Sequence, residues 1–404
     1  MAPPPRHTAS AVRYGRPRPI LCRCFALAFS VLVPAAGIAI ALPASAAPQV
    51  RRAATKAWPA QPLRGLNTTL TPDNASGCLD EAFFLKLRKW NVNLVRFFIN
   101  IDRKSPWDVK TGETVPPIPA DDPMLPYRKN LQNLDRVLGL AARFHIFVIP
   151  CMGDVVGRTN DVMLKNKDNT SFYAGISPIW RHIARKHGAN PWLLAYDLLN
   201  EPNGENAKLW TDDISRKVIR DIRAIDKETC IVYEPAPWAL PDQAFDTLKP
   251  LDDPKIVYSF HFYYPQPYTH QGIYEFTTPE YSGKPYPGEL KFWPNSPQPN
   301  YWDKAQLQRT MANAIRFQDT YKVRIWVGEF SVIRWAPGGE FWLRDVLDIF
   351  ESHGWDWCFH CYGDWNGWDP TYAAEDPQTC KIDGGKMTDR IGLLQQAWSK
   401  NRRF

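Results

Sequence analysis

The run WLLAYDLLN, from Trp192 to Asn200, is followed at once by Glu201 and Pro202. Nearly all of its residues are apolar, as in a parallel strand that is buried on both faces of a sheet. Proline cannot continue the hydrogen-bonded ladder of such a strand, so the strand is expected to end at this corner. Two interpretations follow. Glu201 is an ordinary solvated loop residue, or the strand exists to hold its carboxylate in a site.

Seven similar runs, rich in β-branched and aromatic residues, complete a set of eight predicted strands: LRGLN (Leu63–Asn67), NLVRFFI (Asn93–Ile99), HIFVIPC (His145–Cys151), CIVYEP (Cys230–Pro235), KIVYSFHFY (Lys255–Tyr263), RIWVGEF (Arg324–Phe330) and WDWCFHCY (Trp355–Tyr362). Helical patterns separate or follow them, at Leu79–Trp90, Asn130–Phe144, Ile179–Gly188, Leu209–Asp226, Ala305–Tyr321, Phe341–Gly354 and Arg390–Lys400, with a short candidate at Leu240–Leu248. This alternation predicts a closed α/β barrel of the (β/α)8 (TIM) type. The alternative is a doubly wound open sheet, which usually has fewer units and a glycine-rich first turn.

The first 47 residues resemble a targeting segment rather than part of the fold. Five arginines and no acidic residue precede an apolar stretch, Phe25–Leu42, and the small-x-small pattern Ala44–Ala46 follows it. Residues 1–47 therefore predict a cleaved signal peptide, and residues 48–404 one domain. A membrane anchor is the alternative, but Pro34 and Gly37 within the stretch favour cleavage. We expect a secreted protein without stable membrane association after cleavage.

The charge balance excludes some classes of partner. The chain has 49 basic and 42 acidic residues, and without the five leader arginines 44 basic residues remain. A net charge so close to zero does not favour binding to nucleic acid or to an anionic surface. An uncharged partner fits better, and the 17 tryptophans point weakly toward carbohydrate, because flat aromatic faces stack on sugar rings.

Cysteine says less. Six cysteines remain after cleavage, and they permit about 15 disulfide pairings among which the sequence cannot choose. The motif CFHC (Cys358–Cys361) could indicate a metal site, but it lacks the second half that a zinc site needs. No metal is expected.

In a (β/α)8 barrel the active site forms at the carboxyl ends of the strands. The polar and aromatic residues predicted there are Arg96, Asn200, Glu201, His261, Tyr263, Glu329 and Trp365. Glu201 and Glu329 would face each other across the barrel mouth, and paired carboxylates are what glycoside cleavage requires. Arg96 near Glu329 would keep that carboxylate ionised, whereas a less compensated Glu201 could stay protonated.

Three stretches resemble glycoside hydrolase family 5, the cellulase family. They are LLNEPNG (Leu198–Gly204), WVGEFSV (Trp326–Val332) and YSFHFYYPQPYTHQG (Tyr258–Gly272). The likeness extends from Arg64 to the end of the chain. The resemblance implies that Glu201 is the acid/base and Glu329 the nucleophile.

The resemblance also implies roles for the neighbouring residues. Asn200 would hydrogen-bond the sugar 2-hydroxyl, Arg96 and Tyr263 would hold the nucleophile, and His261 would line the cleavage subsite. Trp365 would form the platform below the cleaved sugar, with Trp357, Tyr362 and Trp368 as the other candidates. The family commonly has a histidine at the end of the third strand, where this chain has Met152, and Asp154 is the candidate to fill its space.

The expected function is that of a secreted, monomeric, retaining β-1,4-glucanase that needs no cofactor and cleaves a neutral β-linked polysaccharide or oligosaccharide. A β-mannanase or another β-glucan hydrolase is the alternative within the same class. A non-catalytic carbohydrate-binding barrel is the alternative from a different class. The combination of two glutamates with Arg96 and Tyr263 argues against it, since binding alone needs no such set.

Overall fold

The computed structural model describes residues 56–68, 79–102, 122–153, 170–204, 207–293, 300–363, 365–372 and 388–404. All of them belong to one compact unit, Arg51–Phe404. The predicted signal peptide and Asp154 lie outside the described residues. Among the helices of the described ranges, none has the length and apolar character needed to cross a membrane.

Eight parallel strands close into a barrel, which confirms the predicted (β/α)8 fold. The first strand pairs with both the second and the last, so the sheet has no free edge. The strands are β1 (Arg64–Thr68), β2 (Leu94–Ile99), β3 (Phe147–Met152), β4 (Ala195–Asp197), β5 (Cys230–Tyr233), β6 (Ile256–Phe262), β9 (Arg324–Phe330) and β10 (Asp356–Phe359).

Two further strands, β7 (Gly288–Leu290) and β8 (Asn300–Trp302), pair antiparallel within the long connection from β6 to β9. None of the eight predicted strands lies there, because each of these strands is three residues long and carries no clear alternation of apolar and polar residues.

The helices are α1 (Glu81–Lys89), α2 (Arg128–Phe144), α3 (Thr170–His187), α4 (Ala207–Leu209), α5 (Ser215–Arg223), α6 (Gln266–Thr269), α7 (Lys304–Thr310), α8 (Ala312–Tyr321), α9 (Gly339–Ser352) and α10 (Asp389–Trp398). The single helix predicted over Leu209–Asp226 is divided by a π-helical turn, Trp210–Ile214. The one predicted over Ala305–Tyr321 breaks at Met311. Leu240–Leu248, a predicted short helix, forms turns instead.

The strands are buried on both faces, and the alternation of their side chains decides which residues point into the barrel. Leu94 on β2 belongs to a cluster inside the barrel, together with Ile149 and Trp326. Val95 and Phe97 belong to the larger core cluster, which also contains residues of the surrounding helices. Because side chains on a strand alternate with period two, Arg96 points into the barrel directly above Leu94.

A register shift between β6 and β9 turns Glu329 toward the interior. Val327 and Phe330 both belong to the larger core cluster, although residues three apart on a regular strand face opposite sides. The pairing of the two strands shifts next to His261, so β9 contains one extra residue at this point. Bulges of this kind redirect side chains near active sites. A side chain at Gly328 would come within 2.9 Å of His261 Nε2, so glycine permits the close approach of β6.

Candidate active site

Two backbone N–H groups of the corner after β4 donate hydrogen bonds to acceptors at the ends of the neighbouring strands β3 and β5. The Asn200 N–H donates to the Met152 carbonyl at 2.9 Å, and the Glu201 N–H donates to Glu234 Oε2 at 2.7 Å. Glu201 has a φ of 47°, in the left-handed region. Such a conformation costs a non-glycine residue on the order of 1–3 kcal/mol and is concentrated at functional sites. Glu201 is therefore not an ordinary loop residue.

The Glu201 side chain lies at the barrel mouth and is 23% exposed. Its Oε1 is 2.7 Å from His261 Nδ1. Burial raises the pKa of Glu201, and the negative charges of Glu329 and Glu234 raise it further, against the opposing hydrogen bond from His261. This carboxyl group therefore keeps its proton to a higher pH than an ordinary glutamic acid.

Glu329 has the opposite electrostatic environment. Arg96 Nη1 donates to its Oε1 at 2.5 Å, and the Tyr263 hydroxyl donates to its Oε2 at 2.7 Å. Burial is the largest single effect and would raise the pKa of Glu329, and the positive charge of His261 is the largest effect in the opposite direction. Smaller contributions from His360, Arg96 and the Tyr263 hydrogen bond act in the same direction, and the pKa of Glu329 is lowered.

The two carboxyl groups are close enough to act on one bond. Glu201, His261 and Glu329 each offer an oxygen or nitrogen, and these three atoms lie within 4.8 Å of one another. A carboxyl group with a raised pKa and one with a lowered pKa therefore face a common space at the barrel mouth. Groups whose environments push their pKa values apart can divide the roles of acid and base.

Arg96 lies at the centre of the site and is completely buried. Besides Glu329, its guanidinium donates to Asp197 Oδ2 at 2.7 Å, Glu234 Oε1 at 2.6 Å and Asn200 Oδ1 at 3.0 Å. A planar guanidinium suits such divergent contacts better than an ammonium does. The structure thus brings together six of the seven predicted site residues: Arg96, Asn200, Glu201, His261, Tyr263 and Glu329.

Trp365, the seventh, lies farther out. Its ring is partly buried and packs edge-on against Trp368 at 6.0 Å and Trp335 at 6.1 Å. Trp368 in turn contacts Tyr263, with ring centroids 5.9 Å apart. Trp368 therefore lies between Trp365 and Tyr263, the hydrogen-bond partner of Glu329. The other two candidates for the sugar platform, Trp357 and Tyr362, are buried in the larger core cluster.

Three ionisable residues of the site were not predicted from sequence: the buried Asp197 and Glu234 and the partly buried His360. Glu234 follows β5 directly and is itself followed by proline, the same Glu-Pro pattern that marks Glu201. His360 follows β10 within the CFHC motif, and its Nδ1 is 3.6 Å from Glu329 Oε2. Burial lowers the pKa of His360 and favours its neutral form. A search for every ionisable residue at a strand end would have found Glu234 and His360.

Cys151, Asp197 and Glu234 also bring potential metal ligands together. The Arg96 guanidinium donates to all three: Nη2 to Cys151 Sγ at 3.0 Å and to Glu234 Oε1 at 2.6 Å, and Nε to Asp197 Oδ2 at 2.7 Å. The guanidinium thus occupies the position that a cation would take. In the described part of the chain Cys151, Cys230 and Cys358 are free and buried, and Cys361 is buried as well.

The chain is similar to proteins named endoglucanase and cellodextrinase. Endoglucanase C of Acetivibrio thermocellus is 26% identical over 258 residues, which cover 59% of this chain and 74% of that protein. Cellodextrinase A of Ruminococcus flavefaciens is 28% identical over 193 residues, covering 46% of this chain and 53% of that protein.

Solved structures share the fold. Endoglucanase Cel5A of Thermotoga maritima superposes with a TM-score of 0.60 at 19% identity, covering 76% of this chain and 91% of that one. The cellulose synthase subunit Z of Clostridioides difficile superposes with a TM-score of 0.61 at 18% identity, covering 83% of this chain and 99% of that one.

The family model described as Cellulase (glycosyl hydrolase family 5) matches residues 53–366, a range that contains every strand of the barrel and all seven predicted site residues. The chain is a glycoside hydrolase and belongs to glycosyl hydrolase family 5, the cellulase family.

Proposed function

We propose that the chain is a retaining β-1,4-glucanase that acts by double displacement. In the first step the Glu329 carboxylate attacks the anomeric carbon, the glycosidic C–O bond breaks, and Glu201 gives its proton to the departing oxygen. In the second step water attacks the glycosyl ester, Glu201 takes the proton of that water, and Glu329 leaves as a carboxylate. The observation that carries this proposal is the opposite pKa shift of two carboxyl groups whose oxygens lie within 4.8 Å.

The separation of the two carboxyl groups supports retention of configuration. Retaining enzymes have carboxyl groups about 5–5.5 Å apart, whereas inverting enzymes need about 6.5–9.5 Å to admit a water molecule. We expect proton NMR of the first products to reveal the β-anomer, which later mutarotates. Initial release of the α-anomer would contradict double displacement.

The substrate class is proposed from charge, aromatic residues and relatives. Trp238, Tyr274 and Trp335 are exposed by 41%, 54% and 36%, and they lie on the loops after β5, β6 and β9, at the same end of the barrel as the glutamates. Exposed aromatic rings in this position can stack on an uncharged sugar chain. Relatives named endoglucanase and cellodextrinase favour β-glucan as that chain.

The corresponding experiment is a panel of polysaccharides. We expect faster release of reducing ends from carboxymethylcellulose and barley glucan than from mannan, with xyloglucan as a branched comparison. Mannan hydrolysis that exceeds hydrolysis of every glucan would replace the glucanase assignment by the mannanase alternative. No hydrolysis of any polysaccharide or aryl glycoside would instead favour a non-catalytic binding barrel.

Secretion is a further proposal, based on the basic leader, the apolar stretch Phe25–Leu42 and the pattern Ala44–Ala46. When the complete chain is expressed in a secreting host, mass spectrometry of the exported protein should place its amino terminus near Ala47. Exported or membrane-bound protein that retains Phe25–Leu42 would indicate an anchor. A chain with Ala44 and Ala46 replaced by bulky residues is the matched control and should remain unprocessed.

A further inference from the structure

We propose that Glu234 is a positioning residue for the reaction, which fixes the acid/base Glu201 and keeps a proton on His261. The proposal rests on the roles of Glu201 and Glu329 given above. Glu234 belongs to none of the three stretches from which those roles were inferred. It directly follows β5 and is completely buried.

Both oxygens of Glu234 face the catalytic machinery. Oε2 accepts the Glu201 N–H at 2.7 Å, and Oε1 accepts Arg96 Nη2 at 2.6 Å. Oε1 also lies 3.3 Å from His261 Nε2. One carboxylate thereby contacts the backbone of the acid/base, the side chain that hydrogen-bonds the acid/base, and the arginine that binds the nucleophile.

The contact with Glu201 acts on its backbone. Glu201 has left-handed dihedral angles, so its N–H is directed differently from those of the strand that precedes it. A buried N–H without an acceptor is strongly unfavourable, and a carboxylate is a stronger acceptor than a neutral group. Glu234 therefore stabilises the backbone conformation that directs the Glu201 side chain into the barrel mouth.

The contact with His261 concerns its protonation. The two ring nitrogens face different carboxyl groups, Nδ1 toward Glu201 and Nε2 toward Glu234. Nε2 makes no hydrogen bond, but the negative charge of Glu234 at 3.3 Å favours the doubly protonated ring. The same ring is also 3.8 Å from Glu329 Oε2.

Further ionisable groups surround His261. Arg96 and His360 lie on β2 and after β10, and Asp197 lies on β4. Burial would lower the pKa of His261, but the charges of Glu234 and Glu329 and the hydrogen bond with Glu201 raise it well above its usual value. A cationic His261 that donates to Glu201 Oε1 leaves Oε2 of Glu201 as the oxygen that can deliver the proton to the substrate.

The experiment compares leaving groups, since only the acid-assisted reaction depends on correct placement of Glu201. We expect Glu234→Ala to reduce kcat/KM by about 100-fold on aryl β-cellobiosides with poorly acidic phenols, as expected for a misplaced catalytic group. On a dinitrophenyl cellobioside, whose departure needs no proton, kcat/KM should change little. Glu234→Gln should lie between Glu234→Ala and the wild type, because its amide oxygen can still accept the Glu201 N–H, and it provides a readout if the alanine variant does not fold.

Asp197→Asn is the matched control. Asp197 is also completely buried and binds Arg96 Nε, but the contacts described for it do not include the Glu201 N–H or a ring nitrogen of His261. If Glu234 acted only as a counter-ion for Arg96, Glu234→Ala and Asp197→Asn would each lower kcat/KM by the same factor for every leaving group. That result would overturn the proposal, and so would a uniform loss in Glu234→Ala alone.

Glu201→Ala, measured in the same series, separates this proposal from the proposed function. It should give the steepest dependence on leaving-group acidity. If Glu201→Ala gives no such dependence, the acid/base assignment itself is wrong. If Glu201→Ala behaves as expected and the Glu234 variants do not, only the role of Glu234 is refuted.

Discussion

Replacing Glu201 or Glu329 by alanine is expected to reduce hydrolysis of β-glucan by roughly 10²–10⁴-fold or more. The first variant removes the proton donor, and the second removes the group that forms the glycosyl ester. The two effects have a similar size on polysaccharide because an unactivated sugar leaving group needs both a proton and a nucleophile. Polysaccharide assays alone therefore cannot separate the two roles.

An aryl glycoside with a good leaving group separates them. Glu201→Ala should still form the glycosyl-enzyme, since departure of an acidic phenol needs no proton, and should then accumulate it because no base activates water. Added azide should restore turnover and give the β-glycosyl azide, since this anion attacks without a general base. Glu329→Ala should form no glycosyl-enzyme, and azide should give at most the α-azide by direct displacement.

Glu228→Ala is the control for replacing a glutamate elsewhere. Its side chain is 58% exposed and pairs with Lys255 before β6, at the opposite end of the strands from the site. It should match the wild type on both substrates. A fluorinated sugar trapped on Glu201 instead of Glu329 would mean that the two roles are exchanged. Azide rescue of both alanine variants with the same anomer would refute the assignment.

The fold could be predicted because each barrel strand has a recognisable apolar pattern in its own residues. RIWVGEF gives β9 with the observed bounds, Arg324–Phe330, since a strand buried on both faces must be apolar along its length. The fourth strand is less well predicted: nine residues of WLLAYDLLN yield only Ala195–Asp197 as strand. Pairing with both neighbours, which local sequence does not specify, decides where that ladder ends.

The site was predictable where a residue sits at a strand end and its chemistry is unusual there. Glu201 and Glu329 satisfy both conditions. Predicting Glu234 and Asp197 as site residues would have required knowledge of their surroundings, because a buried acid is tolerated only beside a cation. The contacts of Arg96 with residues on four other strands or their ends supply that information, and they exist only once the barrel has closed.

Replacing Arg96 by methionine is expected to lower the free energy of unfolding at neutral pH by about 3–5 kcal/mol, the usual cost of removing one partner from a buried ion pair. The effect is large because Arg96 contacts three carboxylates, and Asp197, Glu234 and Glu329 would all remain buried. The cationic His261 would remain, but it lies 3.3 Å from Glu234 and 3.8 Å from Glu329. Hydrolysis should fall as well, because Glu329 would lose the donor to its Oε1.

The loss of stability should depend on pH in a defined direction. In the wild type the pKa values of Glu329 and Glu234 are lowered against the effect of burial, so their contribution to stability is present above the unfolded-state pKa and disappears as the pH falls. Asp197 is different: burial raises its pKa to about 7 even beside Arg96.

Without the positive charge of Arg96, which lowers the pKa of all three carboxyl groups in the wild type, these pKa values should rise. A group whose folded pKa lies above its unfolded value destabilises the fold as the pH rises through that range. The difference in unfolding free energy between wild type and Arg96→Met should therefore be largest at neutral pH and shrink in mildly acidic buffer. Chemical denaturation followed by circular dichroism at both pH values measures it.

Arg64→Met is the matched control, because Arg64 is also buried and donates from Nε and Nη2 to one carboxylate, Glu351, at 2.6 and 2.5 Å. The Glu351 side chain is 25% exposed, so water can solvate its charge when the partner is lost. Arg64→Met should therefore lose less stability and vary less with pH, while each folded molecule keeps its activity. Equal losses for Arg96→Met at both pH values would mean that its three carboxylates find other compensation, and the electrostatic role assigned to Arg96 would then be wrong.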